Sequence, residues 1–384
     1  MITRTLLLAG LIASAPMLAQ AGRNDILIGV DQKIFFEANG QRIGPGGSDA
    51  LLVMDVSDPA NPRIRASLPL TNSVLGPPTN LAITPDGRLG LLANSVVTAE
   101  KDGKWTTAPD DKLYVVDLDA NPPRLIDTVT VGKQPSGLAI SRNGRLALIA
   151  NRAGKSISVL SIDGTTVRPL AEVPIGDEVS AVAISPDGKR GYAAKNTVDR
   201  IAVLTIDGQT VTYDKAADMP AGTYPYNLDV TPDGRIAIAS NQGSLPGNVD
   251  TWLIIEAGAK VPHVIDQVAV GDGPEGFAIS PDGQWAASPL LRGSGAKHDS
   301  WAYTRDGGLT LARIADGKVR VVNTLPAGAL PEGIAFSPNS RYLYIGNYLD
   351  KNVQIYRIRD GRLVDTGKKL ALPGQPASMR GPAR

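Results

Sequence analysis

Pro225-Tyr226-Asn227-Leu228 opens a short apolar run that ends in Thr231-Pro232-Asp233-Gly234, and a second apolar run starts at Ile236. The same order of residue types returns from Pro78-Thr79-Asn80-Leu81 to Thr84-Pro85-Asp86-Gly87, and from Pro135-Ser136-Gly137-Leu138 to Ser141-Arg142-Asn143-Gly144. It returns again from Val179-Ser180-Ala181-Val182 to Ser185-Pro186-Asp187-Gly188, and from Pro274-Glu275-Gly276-Phe277 to Ser280-Pro281-Asp282-Gly283. The final copy runs from Pro331-Glu332-Gly333-Ile334 to Ser337-Pro338-Asn339-Ser340. The turns fall at 87, 144, 188, 234, 283 and 340, between 44 and 57 residues apart. Pro at the second turn position fixes φ, and Asp or Asn before Gly tolerates the bend. The flanking strands are short and apolar, as expected of strands buried on both faces. Each unit then has room for two more strands, such as Ser156 to Ile162 and Val167 to Pro174 around an Asp163-Gly164 turn. A repeated unit of four antiparallel strands is a propeller blade. No long helical period competes with this reading.

The ends supply a seventh blade. Pro373-Gly374-Gln375-Pro376-Ala377-Ser378-Met379 matches the start of an innermost strand. The head offers three strands, Ile26 to Val30, Leu51 to Val56 and Ile64 to Leu70, with no inner strand before them. The tail is therefore expected to complete the head blade, which closes the ring and removes its open sheet edges. The fold class is an all-β, seven-bladed propeller occupying residues 22–384 as one domain.

Residues 1–21 read as a secretory signal: Arg4, an apolar stretch from Leu6 to Ala13, and Ala19-Gln20-Ala21 before cleavage. That stretch is too short to span a bilayer, so the expected product is a periplasmic or secreted monomer without a membrane span. With no Cys in 384 residues, the chain lacks disulfides, thiolate metal sites and a cysteine nucleophile. A net charge of +1 with scattered Lys and Arg gives no nucleic-acid footprint.

Leu148-Ile149-Ala150-Asn151 and Tyr344-Ile345-Gly346-Asn347, each following a Pro-Asp-Gly-type turn, resemble the YVTN-type seven-bladed propellers. Those belong to the wider lactonase-like group, with phosphogluconolactonase-like and carboxymuconate-cyclising members. The resemblance covers nearly all of the chain after residue 21. It implies lactone chemistry or ligand binding at the face where inner strands begin. More distantly, it implies kinship with haem-binding propellers of nitrite respiration, which use a His beside the central cavity.

On that face the residue after each Pro is expected to point into the channel: Thr79, Ser136, Ser180, Tyr226, Glu275, Glu332 and Ala377. Glu275 and Glu332 come from adjacent blades, with Tyr226 beside them. Two carboxyl groups in a narrow channel repel, so one holds its proton or both share a cation such as Ca²⁺. Such a pair also suits general acid/base work. At the ends of the second strands stand Asn94, Asn151, Lys195, Asn241, Leu290 and Asn347, with Asp31 in the head. Repeated Asn there suits turn capping, whereas Lys195 could hold an anion.

The two longest units place extra residues between second and third strands, Ser95 to Asp111 and Arg292 to Asp306, as expected of binding loops. Trp105 lies in the first, and Arg292, His298 and Trp301 lie in the second. His263 precedes an outer strand and belongs on the perimeter. These residues support a propeller that binds a small molecule or a periplasmic protein at its channel entrance. They also support a lactonase-like enzyme using Glu275 and Glu332, with or without a divalent cation. A third reading is an accessory propeller for a periplasmic redox enzyme.

Overall fold

The computed structural model describes residues 24–244 and 246–383; the segment read as a signal, residues 1–21, lies outside them. Seven antiparallel four-stranded paths form a ring, one of them carrying an extra short strand. Blade 1 takes its inner strand, Gln375–Arg380, from the C-terminal segment and its other three, Asp25–Asp31, Ala50–Asp55 and Arg63–Leu68, from the head. Ile28 faces Met379 and Gly29 faces Ser378 in that join, as the complementary deficits at the two ends predict. Blades 2 to 7 follow in chain order, their inner strands being Leu81–Ile83, Pro135–Ile140, Val182–Ile184, Pro225–Val230, Ala278–Ile279 and Pro331–Phe336.

The recurring turn is stabilised by its own side chains. Thr231 Oγ1 donates to Asp233 Oδ1 at 2.6 Å and accepts the Ile236 amide at 3.1 Å. Where Asn replaces Asp, Ser337 donates to Asn339 Oδ1 at 2.7 Å instead. The turn needs a left-handed residue, supplied by Gly234 at φ 72°; in the sixth copy Ser340 adopts φ 57° without glycine's freedom.

Successive blades pack face to face. Tyr192, Ala194 and Ile201 of blade 4, for example, meet Leu253 and Ile255 of blade 5 in one buried cluster. Side chains also cross the axis. Thr79 of blade 2 donates to Asn227 of blade 5 at 3.3 Å. At the lower end Arg380 reaches toward Asp229 at 3.8 Å, and the Ala383 amide bonds to the Ile83 carbonyl at 2.9 Å. The segment after the last strand therefore lies across the bottom of the channel.

Residues 95–110 differ from the expected loop. Leu89–Lys101 and Lys104–Asp117 continue as one long hairpin beyond the blade, in register from Val96 opposite Pro109 to Lys101 opposite Lys104. Asp102-Gly103 makes the bend, both with positive φ, and the β-branched and aromatic residues Val97, Thr98, Trp105, Thr106 and Thr107 suit paired strands. A second hairpin, Ile34–Glu37 with Gly40–Ile43, is inserted between the first two head strands. Among the described residues no helix is long and apolar enough to cross a membrane.

Candidate functional site

The inserted hairpin is anchored from below. Asp31 caps the amides of Lys33 and Ile34 at 2.8 and 3.2 Å and reaches the Val74 amide at 2.9 Å. Lys33, fully buried, sits 2.6 Å from Asp49 Oδ2 and also donates to the Asn72 carbonyl. From the side, the Tyr348 hydroxyl donates to the Ile34 carbonyl at 2.6 Å, and its ring meets Phe36 edge-on at 5.9 Å. The loop at 291–307 holds the hairpin's far end through the His298 amide and the Ala38 carbonyl, 2.9 Å apart. Tyr348→Phe is expected to cost about 1 kcal/mol, the usual worth of one hydrogen bond. It should also speed amide exchange across Ile34–Ile43, which hydrogen-exchange mass spectrometry would read.

Beneath this cap the mouth of the channel opens into a cavity of about 680 Å³. Its lining includes the polar side chains of Arg152, Tyr226, Gln242, Glu275 and Glu332 and the apolar side chains of Phe36, Val74, Leu75, Leu291 and Leu330. Tyr226, Glu275 and Glu332 each follow the proline at the start of an inner stretch, so the repeat itself sets them around one mouth. Arg152 and Gln242 enter one residue beyond the second strands Leu146–Asn151 and Ile236–Asn241. There their amides bond back to Gln134 at 3.0 Å and Tyr224 at 2.9 Å.

Burial raises the Glu275 carboxyl to about 8, against the opposing pull of Arg152. Burial also raises Glu332, and the Glu275 charge raises it further. Gln242 donates to Glu275 Oε2 at 2.5 Å. Glu332 Oε2 is buried with no protein partner, as is Arg152 Nε. The Arg152 guanidinium stands 5.6 Å from the centre of the Tyr226 ring, which stacks on Tyr224 at 5.7 Å. Tyr226 and Tyr224 help keep that cation charged despite burial. The site thus sets one fixed positive charge beside two carboxyl groups that favour their neutral form.

The other residues singled out from the sequence do not line the cavity. Lys195 is buried and held by Asp218 at 2.7 Å, Asp177 at 2.8 Å and the Tyr213 hydroxyl at 3.1 Å. Burial opposes its charge, but these partners outweigh burial and raise its pKa. Its role in this structure is to tie the second strand of blade 4 to the segment beyond its outer edge. Trp105 lies on the long hairpin opposite Glu100. Trp301 is 82% exposed, His298 stacks on Tyr303 at 4.2 Å, and the Arg292 carbonyl accepts from Thr304 at 2.7 Å. Neither histidine lines the cavity.

The repeated asparagines are caps. Asn151 donates to Ser156 and Ser158 at 3.0 and 2.9 Å, and Asn347 accepts the Gly328 amide at 3.0 Å. Among the described residues no group of three or more His, Asp or Glu side chains is placed to hold a metal ion. Two carboxyl groups also fall short of the six to eight oxygen ligands that Ca²⁺ takes. The pair does not fit a calcium site.

A family model described as "Lactonase, 7-bladed beta-propeller" matches residues 165–252. The fold is that of the lactonase-like seven-bladed propellers. Among solved structures, the chain superposes on the periplasmic gluconolactonase of Pseudomonas aeruginosa with a TM-score of 0.66 at 18% identity, over 94% of this chain and 99% of that one. It also superposes on Kuenenia stuttgartiensis hydrazine synthase with a TM-score of 0.61 at 20% identity, over 80% and 90% of the two chains. In sequence it is 33% identical over 110 residues to Antigen Lp49 of Leptospira interrogans, and that match spans 27% of this chain. The chain spans only 22% of the length of that curated relative.

Proposed function

We propose that the mouth cavity binds a small lactone and hydrolyses it, with Glu275, Glu332 and Arg152 as the working groups. The observation that carries this reading is the pair of buried carboxyl groups from adjacent blades, set with one arginine in a cavity of ligand size. Water adds to the lactone carbonyl as one carboxylate takes its proton. The neutral partner gives a proton to the departing ring oxygen, and the product is the hydroxy acid. Glu275, raised to about 8 and hydrogen-bonded by Gln242, supplies the base once it has lost its proton, so turnover rises as pH climbs toward 8; Glu332 retains its proton and supplies the acid. Arg152 faces the charge that gathers on the carbonyl oxygen. On this reading the chain works after export to the periplasm, with residues 1–21 as its leader.

The test is turnover on a panel of sugar and aryl lactones, followed by pH-stat titration of the acid released. Glu275→Gln and Glu332→Gln are each expected to lower kcat by about 100-fold or more, the range for removing an acid or base. Arg152→Gln is expected to lower kcat/KM by a similar factor. Unchanged turnover in either glutamine variant would remove the carboxyl groups from the chemistry. Ligand-induced melting shifts without turnover in the unsubstituted chain would leave a binding propeller.

A further inference from the structure

The cavity's charge and the apolar stretch of its lining narrow the ligand further than its position on the ring does. Among the described lining residues Arg152 supplies the only positive charge, while the acidic side chains are Asp272, Glu275 and Glu332. A phosphate dianion would meet one guanidinium and three acidic groups, an arrangement that favours the neutral forms of the acids but leaves the second phosphate charge unmatched. A carboxylate is matched by Arg152 alone. Its oxygens can accept from Arg152 Nε, which has no protein partner, and from the Glu332 acid, whose Oε2 also lacks one.

One contiguous stretch of the lining is apolar. Val74 and Leu330 belong to a buried cluster with Ile34 and Tyr348, and Phe36, Leu75 and Leu291 pack against that cluster. A polyol laid on this stretch would leave hydroxyl groups facing side chains that cannot bond them, at the cost of desolvating each one. An aryl or alkyl group gains from the same contact.

Resting on the small-molecule site proposed above, we infer that the ligand is a singly charged, amphipathic hydroxy acid. Its carboxyl end faces Arg152 and Glu332, and its aryl or alkyl body lies against Phe36, Leu75 and Leu291.

Titration calorimetry of the full chain with mandelate, gluconate and 6-phosphogluconate at neutral pH tests this. Mandelate is expected to bind at least about tenfold more tightly than gluconate, a difference of one good apolar contact, and 6-phosphogluconate more weakly still. Arg152→Gln should weaken mandelate by about tenfold or more. Leu291→Gln should weaken mandelate by a similar factor while sparing gluconate, and unchanged melting curves would show both variants folded. Preference for gluconate or 6-phosphogluconate, lost in Arg152→Gln, would overturn the amphipathic class and keep the cavity as the site. Binding of none of the three would overturn the class and the site together, as would mandelate binding indifferent to both substitutions.

Discussion

A chain cut after residue 372 is expected to show no cooperative melt. The segment removed holds the inner strand of blade 1, Gln375–Arg380, in which Pro376, Ala377, Ser378 and Met379 are buried. Its partner, Asp25–Asp31, is buried at every position and would become an open, apolar sheet edge. The loss reaches further, because Gly333 of blade 7 lies directly against Met379 and Ser378. Losing a buried methionine alone costs about 2–5 kcal/mol, and the strand's ladder and its other contacts come in addition. Set against a net stability of about 5–15 kcal/mol for a folded domain, the deletion consumes most or all of the margin. Far-UV circular dichroism during heating and limited proteolysis would read the outcome. A truncated chain melting cooperatively within a few degrees of the full one would show that the ring does not depend on this join. Supplying residues 373–384 as a separate peptide should restore protection of the head strands.

The Glu275→Gln/Glu332→Gln double variant is expected to be more stable than the unsubstituted chain at alkaline pH and similar to it near pH 5. The sign follows from the raised carboxyl groups. In the unfolded chain both glutamates lose their protons near pH 4.3, whereas in the folded chain Glu275 holds its proton to about 8 and Glu332 is also raised. Between those limits the folded state binds more protons than the unfolded state, so stability falls as pH rises. Glutamine keeps the shape and removes the titration. Each pKa unit is worth about 1.4 kcal/mol, and the rise from about 4.3 to about 8 at Glu275 spans nearly four units, so a gain of up to about 5 kcal/mol at pH 9 is expected. Melting temperatures of both proteins from pH 5 to 9 would measure it. Curves that stay parallel across this range would mean that the two carboxyl groups are solvated and ordinary, and the acid/base roles would fall with them.

The ring was legible in the sequence because its markers are local. Thr231-Pro232-Asp233-Gly234 and its copies encode a turn whose hydroxyl, carboxylate and left-handed residue all act within five positions. The acidic pair was legible for the same reason: Glu275 and Glu332 occupy one phase of the repeat, and the repeat places that phase at one mouth. Arg152 and Gln242 escaped because strand side chains alternate. Asn151 and Asn241 turn toward their own blades as caps, and the next residue turns to the cavity. Reading the period one residue further would have found both. Phe36 had no such marker, since its hairpin is an insertion that follows no turn of the repeat. The part of the long hairpin at 95–111 looked like a loop because solvent-facing Glu100, Lys101 and Lys104 interrupt its apolar pattern. Its Asp102-Gly103 bend carried the correct signal.

Blade 1 also sets an order of events. Its first strand, Asp25–Asp31, is made early and then waits through more than 340 residues for Gln375–Arg380. Blades 2 to 7 can each pair strands that are near neighbours in the chain, so they can form as they emerge. The apolar head strands cannot be covered until the final strand arrives. Through synthesis, and through any passage across a membrane, the molecule is an unclosed arc with one sticky end. The interval before residue 375 appears is the period when it is most exposed to pairing with the wrong chain.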